Sequence, residues 1–201
     1  MTKTAQLHSP TKERLLDAAQ SLMLAKGFAA TTVDEICEAA KLTKGSFFHY
    51  FESKDELGKT VLERFCANGK QMLEAVYGGE RDPLKRVYRQ IEAFAMMSQD
   101  PNLNKGCLLG CFAQELSDTH PQIRAICRRE FDAWAERFGQ ELARAKAEYA
   151  PKASFDSQEL AEHFIAVVEG SMILGKARRD MKVVAQNLRH FKAYVQSLFK
   201  R

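Results

Sequence analysis

The sequence predicts an all-α protein of about nine helices. A three-helix domain with a helix-turn-helix occupies residues 1–57, and a larger helical domain occupies 58–201. Three observations carry this. Apolar residues recur at three- and four-residue spacing in every long segment. No segment shows the two-residue alternation of a strand, and there is no internal repeat. Within Thr31–Leu57, helix-start signals follow one another at short intervals, as two short helices and a tight turn require.

The elements follow in order. Residues 1–10 are polar, end in Ser9-Pro10 and are expected to form a loose arm bearing Lys3. Thr11 is expected to cap a helix through Lys26 with Leu15, Leu16, Ala19, Leu22 and Met23 inward. Gly27 suits a left-handed exit and Phe28 a core plug. Thr32 with Glu35 makes a capping box, and Val33, Ile36, Cys37 and Ala40 then share a face. Lys41-Leu42 holds no strong breaker, so the turn is inferred from Thr43, which caps a helix starting at Lys44. Phe47, Tyr50 and Phe51 give that helix its apolar side. Ser53 with Glu56 reads as a further box, restarting the chain as a long helix over Lys54–Tyr77.

Gly78-Gly79 ends the long helix and Pro83 opens the next, whose stripe is Leu84, Val87, Ile91, Phe94 and Ala95. After a break at Asp100-Pro101-Asn102, a helix is expected from about Lys105 to Ser117. His120-Pro121 opens a long helix to about Tyr149 with Ile123, Ile126, Phe131, Trp134, Phe138 and Leu142 inward. Two final helices are expected near Ser157–Arg179 and Lys182–Lys200. The first is apolar over a wide arc, at Leu160, Phe164, Val167, Val168, Met172 and Leu174, and must be covered on both sides. A second subunit would supply one cover and make a four-helix dimer bundle; a larger monomer core is the alternative.

Composition sets limits. The chain has 201 residues, ample for one or two cores. No apolar run approaches the length of about 18 residues that a membrane span requires. The first residues lack a signal peptide's apolar segment, so a cytoplasmic protein is expected. The five cysteines, an odd number, are then expected as thiols. The net charge is +4, but residues 1–59 hold eight Lys/Arg and eight Asp/Glu. Bulk charge therefore does not argue for nucleic acid, and any attraction must come from placement.

The run GFAATTVDEICEAAKLTKGSFFHYFESKDEL resembles the N-terminal domain of the TetR family of bacterial transcription regulators. The matching features are Gly27-Phe28, Thr31-Thr32, the aromatic cluster ending His49-Tyr50-Phe51, and Lys54. The resemblance implies a homodimer that binds a double-stranded DNA operator. A helix N-terminus presented to the major groove, after the cap Thr43, places Lys44, Gly45 and Ser46 nearest base edges. By family position Tyr50 and Lys54 are expected on phosphates. Thr31 or Thr32, with the amides of the capped helix, is expected at another, and His49 faces outward. Phe48 departs from the family pattern: it stands where many members carry a phosphate-binding tyrosine, and is left to touch a thymine methyl or a sugar.

The second half has no nucleotide-binding glycine signature, no metalloprotease helix motif and no nucleophile with a recognisable base. No catalytic residue, metal or cofactor is expected. The stretch Gly106-Cys107-Leu108-Leu109-Gly110-Cys111-Phe112 resembles the NemR-like, electrophile-sensing subgroup of the same family, as does Gly170 with Lys176. Cys107, placed in the first turn of a predicted helix near Lys105, would have its thiolate favoured by unpaired amides, and further if Lys176 folds against it. Cys111 lies one turn on; the pair is too far apart for a disulfide and too few for a metal site. A small-molecule effector is expected among Tyr88, Phe94, Met97, Cys107, Phe112, Trp134, Phe138, Phe164 and Met172, with Cys111 and Lys176 as further sensor residues. The function read is therefore a DNA-binding regulator, a repressor released by an effector or by modification of Cys107. The alternatives are a thiol-redox enzyme with an incidental helix-turn-helix, and a helical interaction module.

Overall fold

The structure is a computed structural model that describes residues 9–100 and 105–200. The arm with Lys3, and Pro101 and Asn102 of the expected break, lie outside them. Among the described residues there are nine helices and no strand: α1 (Pro10–Lys26), α2 (Val33–Ala40), α3 (Lys44–Tyr50), α4 (Lys54–Tyr77), α5 (Pro83–Met97), α6 (Leu108–Leu116), α7 (Pro121–Tyr149), α8 (Ser157–Arg178) and α9 (Lys182–Leu198). None of the described helices is long and apolar enough to cross a membrane.

The chain divides by packing into two units: residues 1–67 with 108–127, and residues 68–107 with 128–201. The first is larger than the 1–57 segment read from the sequence, since it takes in the first half of α4, all of α6 and the start of α7. In it α1 packs on α2, α3 and α6, and α2 on α3. Leu15, Leu16, Met23, Ile36, Phe47, Phe51, Leu57, Leu62 and Leu108 are its buried centre. Phe28 plugs the unit as expected: it is 3% exposed, with its ring edge-on to Phe112 at 5.6 Å and to His120 at 5.6 Å. Gly58 makes room for that ring, because a Cβ there would lie 2.7 Å from Phe28 Cε2.

In the second unit α8 packs on α9, and α9 on α5. Val87, Ile91, Phe138, Leu142, Phe164, Val168, Val184, Leu188 and Phe191 form one core cluster. Arg86 of α5 places its guanidinium fork on both oxygens of Glu141 in α7, at 2.9 and 3.0 Å. Glu141 is itself buried, so the pair is held out of water with matched hydrogen bonds.

Two helix starts differ from the sequence expectation. α1 begins at Pro10, not after a Thr11 cap; proline has no N–H to satisfy, and its φ is already helical. The Ser9 hydroxyl makes no cap bond and meets the Tyr50 hydroxyl instead, at 2.8 Å. α6 begins at Leu108, not Lys105, because Gly106 takes φ +109, outside the helical region. Cys107 therefore stands just before α6 rather than within its first turn. At α4 the Ser53 hydroxyl accepts from the Glu56 N–H as expected, but Glu56 reaches back one residue further, to the Glu52 N–H.

Candidate functional site

The helix-turn-helix is built from local caps and one distant clamp. The Thr32 hydroxyl accepts from the Glu35 N–H at 3.2 Å, and Glu35 accepts from the Thr32 N–H at 2.9 Å, completing the capping box. A hydrogen bond from Lys26, with those from Thr32, holds the Glu35 carboxyl down at about 2. At the other end of α2, Lys41 turns left-handed with φ 53, and the Leu42 N–H reaches back to the Cys37 carbonyl at 2.8 Å. The Arg14 guanidinium donates to the Ala40 and Lys41 carbonyls. A donor from α1 thus makes the breaker that the sequence of the turn lacks.

α3 then divides cleanly. Phe47 is fully buried and Phe51 nearly so, which anchors the helix. On the other side Lys44, Gly45 and His49 are exposed, and Phe48 is 58% exposed. The Thr43 hydroxyl accepts from the Ser46 N–H at 3.2 Å, and the two hydroxyls meet at the same distance. Gly45 opens to solvent, its absent Cβ meeting only the Thr43 hydroxyl at 3.7 Å. Lys44 is paired with Asp34 of α2 at 2.7 Å, and that carboxylate raises its pKa. The sequence sets Lys44 nearest base edges; the structure adds an acidic neighbour one helix away. Tyr50 is half-buried against His49 at 4.7 Å, with its hydroxyl on Ser9.

Two sequence expectations need correction. Thr31 is 0% exposed and its hydroxyl donates to the Gly27 carbonyl at 2.7 Å, so it is not available to a phosphate. Lys54 does not extend outward. Its ammonium donates to the Phe28 and Thr31 carbonyls, at 3.0 Å each, and lies over the Phe28 ring 4.4 Å from the centroid. The reason in both cases is the α1–α2 turn, whose carbonyls have left the helix and need donors. The amides of the same turn are met by Glu115 of α6, whose two oxygens accept from the Phe28 N–H at 2.8 Å and the Ala29 N–H at 2.7 Å. Sequence reasoning missed Arg14, Asp34 and Glu115, and for Glu115 no local signal existed.

In the second unit, four of the expected effector residues come together. Phe94 stacks on Trp134 at 5.1 Å and meets Phe164 edge-on at 5.6 Å, and Phe138 lies 4.5 Å from Phe164. Phe138 and Phe164 are fully buried core, whereas Phe94 and Trp134 are half-buried. The Trp134 indole nitrogen and the Gln90 amide nitrogen are buried without a hydrogen-bond partner among the described residues. Met172 packs against the same core, and Tyr88 lies at its side under Lys192. Phe112 and Cys111 are not in this set. They lie on α6 in the first unit, where Phe112 packs on Phe28. Lys176 is exposed, and with Lys105 and Gly106 lines a cleft of about 450 Å³. Cys107, just ahead of α6, is half-buried, and its thiol acts on the ionisation of the Glu169 carboxyl of α8. Burial raises that carboxyl to about 7, against the smaller lowering effect of the thiol.

Comparison with known proteins matches residues 15–60 to the family model described as bacterial regulatory proteins, tetR family. Residues 83–191 match the tetracyclin repressor-like C-terminal domain. The transcriptional repressor DhaR of Mycobacterium sp. strain GP1 is 27% identical over 90% of this chain and 89% of its own. The transcriptional repressor NemR of Escherichia coli K12 is 26% identical over 90% and 92%. Among solved structures, a regulatory protein TetR from Rhodobacter sphaeroides superposes with TM-score 0.83 at 27% identity, covering 92% of this chain and 99% of that one. Reduced E. coli NemR superposes with TM-score 0.73 at 27% identity, covering 91% and 96%.

Proposed function

The chain belongs to the TetR family of bacterial regulatory proteins and is a DNA-binding transcription regulator; from that premise we propose that it is a homodimeric repressor which leaves its operator when the second unit is modified or filled. The observation that carries the DNA side is the division of α3. Its inner face is locked by Phe47, so the helix presents Lys44, Gly45, Phe48 and His49 rigidly to a major groove. Thr32, Thr43 and Tyr50 flank that face, and Ser46 lies in the first turn, where side chains reach base edges.

An apolar face on α8 and α9 supports dimerisation. Ile173, Leu174 and Tyr194 are each more than 40% exposed there, and Val167 and Phe191 line the groove between the helices. A second copy of the same pair would cover that face and complete a four-helix bundle.

Two observations support the sensor. Trp134 and Gln90 hold buried donors that an effector's acceptor atoms would satisfy, beside the aromatic wall of Phe94 and Phe164. Cys107, just ahead of α6, is the residue we read as modified by an electrophile; likeness to a relative named NemR supports that reading. Transmission runs along α6, from Cys107 at its head to Glu115, whose carboxylate grips the turn ahead of α2. A regulator of this kind works in the cytoplasm.

Footprinting the protein's own promoter region, with and without a thiol-reactive electrophile, tests the reading. Protection that disappears on treatment in wild type and persists in Cys107→Ala is expected. Protection insensitive to electrophile removes Cys107 from the mechanism, and no protection at any salt removes the operator reading for that region.

A further inference from the structure

Asp34 is an acid that the stability of the first unit does not explain. It stands in the first turn of α2, and its Oδ1 meets the Lys44 ammonium at 2.7 Å. The two side chains are 66% and 63% exposed, and an ion pair so open to water contributes little to folding. Among the described residues Lys44 is its one ion-pair partner, and its second oxygen, Oδ2, makes no hydrogen bond. On a surface that meets phosphates such a carboxylate weakens binding, unless a donor on the duplex takes it.

We propose that Lys44 and Asp34 together read one G·C base pair, with guanine on the Lys44 side and cytosine on the Asp34 side, and that Asp34 is a specificity residue which sets this orientation. This rests on the reading of α3 as the helix in the groove. Because Oδ1 lies 2.7 Å from Nζ, the carboxylate enters the groove with the ammonium. There guanine offers two adjacent acceptors, O6 and N7, and its partner cytosine offers the N4 donor. O6 and N4 are themselves joined across the base pair, about 2.9 Å apart. An ammonium on O6 therefore sets the carboxylate beside N4, where Oδ2 accepts the N–H that base pairing leaves free. Every donor in this ring of four groups then meets an acceptor.

The other three arrangements fit less well, each for its own reason. A reversed C·G pair turns the N4 donor towards the ammonium and O6 towards the carboxylate. Adenine on the Lys44 side makes the same two mismatches with its N6 donor and the thymine O4. Thymine on the Lys44 side restores the order of acceptor and donor. It gives the ammonium a single acceptor flanked by a methyl group, however, and sets adenine N7, an acceptor, beside the carboxylate. Repulsion between Asp34 and phosphates is common to all sequences, whereas its bond to N4 forms at one base pair in one orientation. Asp34 thus lowers affinity in general and raises discrimination.

The test is selection by the full chain from duplexes with a random core, followed by fluorescence anisotropy on the recovered duplex and on its variants at each base pair. Wild type should require G·C in one orientation at one position of each half-site, and bind the C·G reversal about tenfold or more weakly. Asp34→Asn should bind all duplexes more tightly at low salt. Its Lys44, no longer pinned, can reach guanine on either strand, so the orientation preference should shrink by about fivefold or more. Glu38→Gln, which removes an exposed acid one turn on in α2, is the control for charge alone and should keep the wild-type preference.

A rise in affinity in Asp34→Asn that is equal for both orientations overturns the proposal, since Asp34 then acts through its charge alone. A wild type indifferent to orientation at every position overturns it without any variant. A preference lost in Lys44→Ala but kept in Asp34→Asn removes Asp34 from the readout and leaves α3 in the groove. A wild-type preference that survives Lys44→Ala removes the groove reading of α3, and the proposal with it.

Discussion

Replacing Lys54 by methionine keeps the stem and removes the ammonium, which separates a structural lysine from a phosphate contact. Two carbonyls lose a donor held at 3.0 Å, those of Phe28 and Thr31. Leaving a buried acceptor unsatisfied costs about 1–3 kcal/mol. The site is only part-buried, so water recovers a share, and loss of the cation over the Phe28 ring adds about 0.5–1 kcal/mol. Together these give a destabilisation of about 2–4 kcal/mol in the first unit. With a urea slope of about 1–3 kcal/mol/M, the midpoint should fall by roughly 1–2 M. Urea unfolding followed by circular dichroism measures this directly. A surface lysine on a phosphate would behave differently. Stability would stay within about 0.5 kcal/mol of wild type, and the slope of log affinity against log salt would drop by about 0.9. That second pattern refutes the assignment of Lys54 to the α1–α2 turn.

Gly58→Ala should destabilise the same unit by about 1–3 kcal/mol, because the Phe28 ring is wedged against Phe112 and His120 and cannot retreat; an unchanged thermal midpoint would contradict it. Lys44→Ala should weaken operator binding by about 1–3 kcal/mol in fluorescence anisotropy, and Asp34→Asn should strengthen it at low salt by removing an acid from the groove-facing side. Equal affinities for all three proteins would take Lys44 off the DNA. Glu35 is held down at about 2, chiefly by Lys26 and then by Thr32, so its contribution is complete above the unfolded value near 4.5 and fades as pH falls towards 2. Glu35→Gln should therefore lower the thermal midpoint at pH 7 and converge with wild type near pH 2; a gap that persists in acid would disprove that origin. Leu174→Glu should turn a sedimenting dimer into a monomer and abolish operator binding at nanomolar protein, whereas a dimer surviving this change would place the interface elsewhere.

The sequence alone determined the helices, and it did so because helix signals are local. Thr32 with Glu35, and Thr43 with the amide of Ser46, act across three residues, so the caps of α2 and α3 are written in adjacent letters. The apolar stripe that buries Phe47 and leaves Phe48 outside follows from helical period. Family membership was legible for a related reason, since the motif over residues 15–60 joins many such local signals at fixed offsets. Tertiary structure decided what the polar side chains do. Lys54 turns to carbonyls 23 and 26 residues back, Arg14 closes a helix 26 residues on, and Glu115 holds amides 86 and 87 residues away. Long charged side chains have no periodic signature. Their partners are whichever unsatisfied backbone or buried acid the folded chain brings within about 3 Å, and that distance exists only once the helices have packed.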